Sequence, residues 1–397
     1  MNQKKKFGVY YTPEQLVDRI YSVLPMKDIK SAIDICCGDG ALLRPYDDTI
    51  EVLGLDIEPK YKHGITYDSL NNKPYTDEHF DLCIGNPPYR LLKKTDYVGN
   101  SDEMNEFVHK NGNNLFVAGL YKALEYNAEW YALIVPKNFL LMDGYKEVRN
   151  MILCNYTLYA LIDLGQGFKG VRGEQVCIVF KKHGYIQKVR MLRNDSEYDA
   201  TYKDFMLNRL WALFDSFTDR DLFYRMMCLG DRIETIYSCN VKEGIRGKDL
   251  DKFRLKNGNY NSNGDAVIMQ RIYSAECGFK AVPASMTTQC NESIKRISTE
   301  NPLCLVGLLH SKLYNYCFLH YLFNDSKLTL KSEYAKYLPR VDTDVLDDVV
   351  MDMLIHGWSK ENQKRLDTLV YILFSLTPNE IQVVENFIER TWSKKWL

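Results

Sequence analysis

The chain contains no run of about 18 consecutive apolar residues, so no segment reads as a membrane span. Its start, Met-Asn-Gln-Lys-Lys-Lys-Phe, lacks the apolar stretch of a secretory signal. None of the eleven cysteines forms a Cys-x-x-Cys pair, and the seven histidines show no zinc spacing. Without an export signal, so many cysteines imply reduced thiols and a cytoplasmic protein with no structural metal. Internal repeats and low-complexity tracts are absent too. Nor is there an overall charge of either sign: the formal net charge is −1. What remains is an ordinary globular composition, 46% hydrophobic and 26% charged over 397 residues, enough for two domains.

The near-zero charge hides an uneven distribution. Residues 242–340 hold 15 Lys/Arg and 9 Asp/Glu, a net of +6, whereas residues 341–397 hold 6 and 10, a net of −4. A local basic region matters for phosphate contacts more than the sum does, although a solvated basic surface has the same composition.

Residues 1–185 alternate short apolar strands with helical stretches, which predicts a parallel α/β sheet. Thr12-Pro13 opens a helix, with proline at its first position. Strands are predicted at 31–35, 51–55, 65–67, 80–84, 131–135, 158–163 and 175–181. Residues 190–235 read as a connector, polar and then helical. Beyond it the pattern is irregular, with helices expected at 303–323 and near 380–393. The expected division is 1–189, 190–235 and 236–397.

Four short segments fall at predicted strand ends, where open α/β sheets hold their ligands. Asp34-x-x-x-Gly38-x-Gly40 follows the first strand and offers glycines for a tight turn and close backbone approach. A dinucleotide loop would carry a third glycine, which Ala41-Leu42-Leu43 does not supply, and Asp34 would sit badly beside a pyrophosphate. It suits a cation. S-adenosylmethionine carries a sulfonium and an ammonium and no phosphate, so the loop favours that cofactor over NAD. Asp56 ends the next strand, where an acid can grip ribose hydroxyls, and Asp68 ends the third, where it could accept from an adenine amino group. Either could equally be a helix or turn cap. Asn86-Pro87-Pro88-Tyr89 follows the apolar run 80–85. It places an amide and stiff carbonyls beside an aromatic ring, a set fit to hold a flat amino-bearing group, although Asn-Pro-Pro is also good turn chemistry.

Taken together these segments resemble the adenine-N6 DNA methyltransferases of restriction–modification systems, in which cofactor motifs come first and a target-recognition domain follows. Tyr10-Tyr11-Thr12-Pro13, Asp34–Gly40 with Cys36, Asp56-Ile57 and Asp68 match the family's cofactor motifs. Asn86–Tyr89 matches its catalytic motif. Asn114-Leu115-Phe116 and Val135-Pro136-Lys137 match the segments that follow. Phe168 stands where the family places an aromatic that stacks, with Tyr89, on the extruded base. Ser69 departs from the pattern, replacing an apolar or aromatic contact to the cofactor's adenine.

The resemblance implies an S-adenosylmethionine-dependent sheet of Rossmann-like α/β class and a C-terminal mixed α+β domain that binds double-stranded DNA. Arg246, Lys248, Lys312, Lys327 and Lys331 are the candidate DNA contacts. Because the motifs begin near residue 7, any restriction endonuclease is expected on a separate chain. A solitary adenine methylase, a protein-glutamine or RNA methyltransferase, and a catalytically silent DNA-binding subunit share parts of this pattern. Asparagine at position 86, where cytosine-amino enzymes more often have serine, favours adenine. The absence of a Pro-Cys dipeptide speaks against cytosine ring methylation.

Overall fold

The structure, a computed structural model, describes residues 11–46, 49–165, 167–168, 173–182, 184, 186–194, 196–207, 210–228, 231–255, 261, 263–322, 327–330 and 338–393. The chain divides into two compact units, Met1–Asp215 and Ser216–Leu397.

In the first unit, helix α1 (Glu14–Tyr21) starts directly after Pro13, whose fixed φ of −63° suits an N-terminal boundary. Its buried Val17 and Ile20 lie on one face, three residues apart. The strands follow as β1 (Ser31–Asp34), β2 (Glu51–Asp56), β3 (Gly64–Thr66) and β4 (Leu82–Gly85). Helices α2 (Asp102–Lys110) and α3 (Leu115–Glu125) lead to β5 (Trp130–Pro136). Then come α4 (Lys146–Asn155), β6 (Thr157–Gly165), β7 (Gln175–Lys181), β8 (Val189–Arg193) and β9 (Ser196–Ala200). They form one nine-stranded sheet of order β3-β2-β1-β4-β5-β7-β6-β8-β9. Strands β1 to β5 run parallel, while β7 is antiparallel to both neighbours.

The central parallel strands β1, β4 and β5 are buried on both faces and so read as continuous apolar runs, such as the fully buried Leu82–Gly85. Parallel pairing also brings the C-terminal ends of β1, β2 and β4 to one edge, and with them Asp34, Asp56 and Asn86. The stretch expected to act as a connector does not stand alone. Strands β8 and β9 extend the sheet of the first unit, and the boundary falls at Asp215. Alternation along these short strands is masked by polar residues at the sheet edge, as in Ser196–Ala200.

The second unit opens with helix α5 (Phe217–Cys228). Strands β10 (Tyr237–Ser238), β11 (Ala266–Gln270), β12 (Ile272–Ser274), β13 (Ala281–Ala284) and β14 (Ile294–Ser298) follow. A four-stranded antiparallel sheet has the order β10-β14-β11-β13, and β12 pairs with β15 (Lys327–Thr329). The helix expected over 303–323 is two: α6 (Pro302–His310) and α7 (Lys312–Leu322). Ser311 between them has extended dihedrals, and its hydroxyl donates back to the Leu308 carbonyl, which ends the first helix. Helices α8 (Asp347–His356), α9 (Lys360–Leu373) and α10 (Pro378–Thr391) complete the unit. Among the described residues no helix is long and apolar enough to cross a membrane.

Candidate active site

A cavity of about 220 Å³ opens at the C-terminal edge of β1, β2 and β4. Tyr11, Thr12, Asp34, Cys36, Gly38, Asp56, Ile57, Asp68, Asn86 and Pro88 all line it. Tyr10 lies outside the described residues. Residues 34 to 88 thus meet because three parallel strands end together.

The glycine loop is built by two left-handed glycines. Gly38 has φ +53°, and its bare Cα lies close under the Tyr11 ring. Gly40 has φ +77°, and a Cβ there would stand 2.1 Å from a Tyr61 ring carbon, so the position admits no side chain. Gly40 does not itself line the cavity; it lets Tyr61 pack under the loop. Asp56 braces the same turn, its two carboxylate oxygens accepting from the Gly38 and Glu58 amides at 2.9 Å. Asp68 accepts from the amide and side chain of Asn71. In both, second lone pairs remain for a ligand.

Asp34 is 2% exposed and accepts from the Cys36 amide at 2.9 Å. Burial raises its pKa to about 8, against the lowering effect of that hydrogen bond, and the nearby Asp56 and Asp39 push it the same way. The cavity's charged lining is Asp34, Asp39, Asp56 and Asp68 against Arg90 alone. That environment fits a cationic ligand and opposes a pyrophosphate. Ser69 also lines the cavity, 3% exposed, with no hydrogen-bond partner for its hydroxyl. A polar group of this kind suits a nucleobase-bearing ligand with acceptors of its own.

Asn86 is held from two sides. Its amide nitrogen donates to the Thr12 hydroxyl at 3.4 Å, and its oxygen accepts from the Tyr89 hydroxyl at 2.6 Å. Burial pushes the Tyr89 phenol well above its ordinary pKa, so it stays a donor. Pro87 is buried against α3, where Gly119 makes room: a Cβ on Gly119 would come within 2.4 Å of the Pro87 ring. The tetrapeptide is therefore both a rigid turn and a wall of the cavity, through Asn86 and Pro88.

Phe168 departs from expectation. It is 3% exposed and belongs to a hydrophobic cluster with Val17, Ile20 and Leu164, against which Tyr89 also packs. The ring presents no face to the cavity, because apolar burial holds it in the core. Phe168→Ala should accordingly cost about 3–5 kcal/mol in denaturant melting. A freely exposed ring would cost less than about 0.5 kcal/mol, and such a small loss would contradict this placement.

Sequence reasoning missed Arg90, Asn71 and Tyr97, which also line the cavity. Arg90 directly follows the tetrapeptide and pairs with Asp96 at 2.7 Å, which holds the 90–96 turn. Tyr97 carries no local signal, since only the folding back of that loop brings it here. Lys137 finds its reason in packing: buried, it bonds Asp163 and, at 2.7 Å, Glu174. These two acids flank the stretch that carries Phe168. Burial alone would raise the Asp163 pKa, but Lys137 and Arg193 beside it hold it below the usual carboxylate range.

In the second unit Arg246 and Lys248 are exposed. Lys312 is engaged differently from expectation: its ammonium pairs with Glu385 at 2.6 Å and its amide donates to Asp367, tying α7 to α10 and α9. Lys327 starts β15, and Lys331 lies outside the described residues.

These features define a Rossmann-like α/β fold with its cavity at the strand ends. Residues 45–169 match the model of the Eco57I restriction-modification methylase family. The Type II methyltransferase M.VspI of Vibrio sp. is 26% identical over 202 residues, 45% of this chain and 49% of the relative. M.TthHB8I of Thermus thermophilus, also a Type II methyltransferase, is 24% identical over 213 residues, 49% of each chain. The chain thus spans about half the length of each of these two relatives. The DNA-bound Type IIL restriction-modification enzyme MmeI shares the fold at a TM-score of 0.53 and 10% identity, over 95% of this chain and 74% of that one.

Proposed function

We propose that this protein is a site-specific DNA methyltransferase that moves a methyl group from S-adenosylmethionine to the exocyclic amino group of an adenine extruded from duplex DNA, as the modification enzyme of a restriction–modification system. The observation that carries the reading is the meeting of Asn86 and Pro88 with Asp34, Asp56 and Asp68 in one acid-lined cavity. Asp34 would face the cofactor's cationic end, Asp56 its ribose and Asp68 its adenine amino group. The bound cofactor supplies an activated methyl on sulfur. The chain's own task is to orient the acceptor. The Asn86 oxygen and the Pro87 carbonyl accept the two hydrogens of the amino group, which draws its lone pair out of ring conjugation. Such fixed acceptors also stabilise the positive charge that grows on nitrogen. The Tyr89 ring, held beside Asn86 by its hydroxyl, gives the extruded base a stacking surface worth about 1–3 kcal/mol.

The first unit would be the catalytic part and the second the recognition part, with a restriction endonuclease as a partner. Single-molecule sequencing of DNA from cells expressing the protein tests the reading. N6-methyladenine at one recurring sequence is expected, and methylated protein beside unmodified DNA would overturn it.

Arg246 and Lys248 flank a glycine in an exposed segment and suit phosphate contacts. Replacing both by glutamine should weaken duplex binding and lower the slope of log affinity against log salt by about 0.9 for each phosphate no longer neutralised. An unchanged slope would remove them from the interface.

A further inference from the structure

We propose that Arg271 and Lys295 form a phosphate site in the second unit, taking one phosphodiester group of the duplex backbone. The proposal rests on the DNA reading above and adds a place of contact that the motifs do not indicate. Lys295 pairs with Met269 across β14 and β11. Arg271 lies two residues beyond Met269, and its amide donates to the Ser293 carbonyl at 2.9 Å, so the pairing continues. Side chains two apart share a face, which makes Arg271 and Lys295 diagonal neighbours on one side of the sheet.

Two like charges have therefore been folded together. Lys295 is 8% exposed, and its ammonium donates to the Ser238 hydroxyl at 2.7 Å. The Arg271 Nε is buried with no hydrogen-bond partner, while its side chain keeps partial access to solvent. Among the described residues neither cation makes an ion pair with a carboxylate. Burial, and then the Arg271 charge, push the Lys295 ammonium below its ordinary value. Arg296 next in sequence shows a partial contrast: its Nε also lacks a partner, but its two terminal nitrogens donate to the Met286 and Thr288 carbonyls. A paired, partly desolvated cation site without an acid is costly in the free protein and is relieved by an anion.

The setting says which anion. Gly247 is pinned to the same strands, its amide donating to the Ser293 hydroxyl at 2.7 Å and its carbonyl accepting from Gln270 at 2.6 Å. The exposed Arg246 and Lys248 on either side of it thus stand next to the residues that flank Arg271. The Asp249 carboxylate is turned to the Arg246 amide at 2.9 Å. Several cations near one end of these strands suit a chain of phosphates more than a lone ion.

The test uses the full chain, a labelled duplex containing its methylation sequence, and a salt series read by fluorescence anisotropy. Lys295→Met and Arg271→Gln should each weaken binding several-fold and lower the salt slope by about 0.9. Arg271→Lys should restore most of the slope. Without DNA, Lys295→Met should melt at or above the wild-type temperature, because it removes a like charge. Lower melting together with a wild-type salt slope would make the pair structural and overturn the proposal. Inorganic phosphate is the second probe and should raise the melting temperature of the wild type more than that of Lys295→Met. Protection by phosphate with an unchanged duplex slope would make this a free-phosphate site and overturn the DNA-backbone assignment. Wild type that binds no duplex at any salt would overturn the DNA reading itself.

Discussion

Replacing Asn86 by alanine should lower kcat for methyl transfer by at least about 10²–10³-fold, while the cofactor dissociation constant moves by less than about threefold. The separation follows from geometry. Asn86 lies at the end of β4, and its amide is oriented by Thr12 on one side and Tyr89 on the other. Alanine removes the acceptor that would hold an amino hydrogen, yet leaves Asp34, Asp56 and Asp68 in place. Single-turnover kinetics with a duplex substrate, alongside calorimetric cofactor titration, distinguishes the two effects. Equal activity in the variant would refute the assignment of Asn86 as the amino acceptor. Loss of cofactor affinity in parallel with activity would instead mean that the cavity had collapsed. Tyr89→Phe separates the ring from its hydrogen bond: stacking remains while the amide loses one restraint, so a smaller loss than in Asn86→Ala is expected.

Cofactor binding should release close to one proton per site near pH 7, and Asp34→Asn should abolish that release while weakening affinity by about tenfold or more. Asp34 is buried and its folded pKa is raised to about 8, so in the free protein it is mostly protonated at neutral pH. A cationic ligand favours the carboxylate and expels the proton. Affinity should therefore rise with pH between about 5.5 and 7.5, below the ordinary range of an α-amino group. Titration in buffers of different ionisation enthalpy counts the protons, and an affinity independent of both pH and buffer would contradict a cation beside Asp34.

The same shift has a signed effect on stability. A carboxyl whose folded pKa lies above its unfolded value of 3.8 favours folding fully below pH 3.8. That contribution is lost as pH rises from there through about 8. Asp34→Asn should thus melt higher than wild type at pH 8 to 9 in the absence of ligand, and show little difference near pH 4. A buried carboxyl with acidic neighbours is costly in its ionised form.

The strands of the first unit were legible because burial on both faces writes itself locally, as in Leu82–Gly85 and Gln175–Lys181. The cavity was legible because parallel strands bring their ends together, so Asp34, Asp56 and Asn86 could be assigned to one edge without knowing the packing. The 190–215 stretch was not, since edge strands such as Ser196–Ala200 carry little apolar pattern. Phe168 and Lys312 illustrate the other limit. An aromatic near a cavity and a lysine in a basic region look the same in sequence whether they face a ligand or a neighbouring helix.

The sequence alone therefore determined the parallel strands β1 to β5, the glycine loop and the tetrapeptide at the strand end, all set by spacing within one strand and the turn after it. Only the tertiary structure decided that Phe168 is core, that Lys312 pairs with Glu385, that Lys137 joins Asp163 to Glu174, and that Arg271 and Lys295 share one face. Lys137 and Glu174 stand 37 positions apart in the chain, and Lys312 and Glu385 stand 73 apart. What joins them is charge pairing between elements that packing has brought together. No local pattern encodes that, because burial and charge pairing belong to the packed molecule.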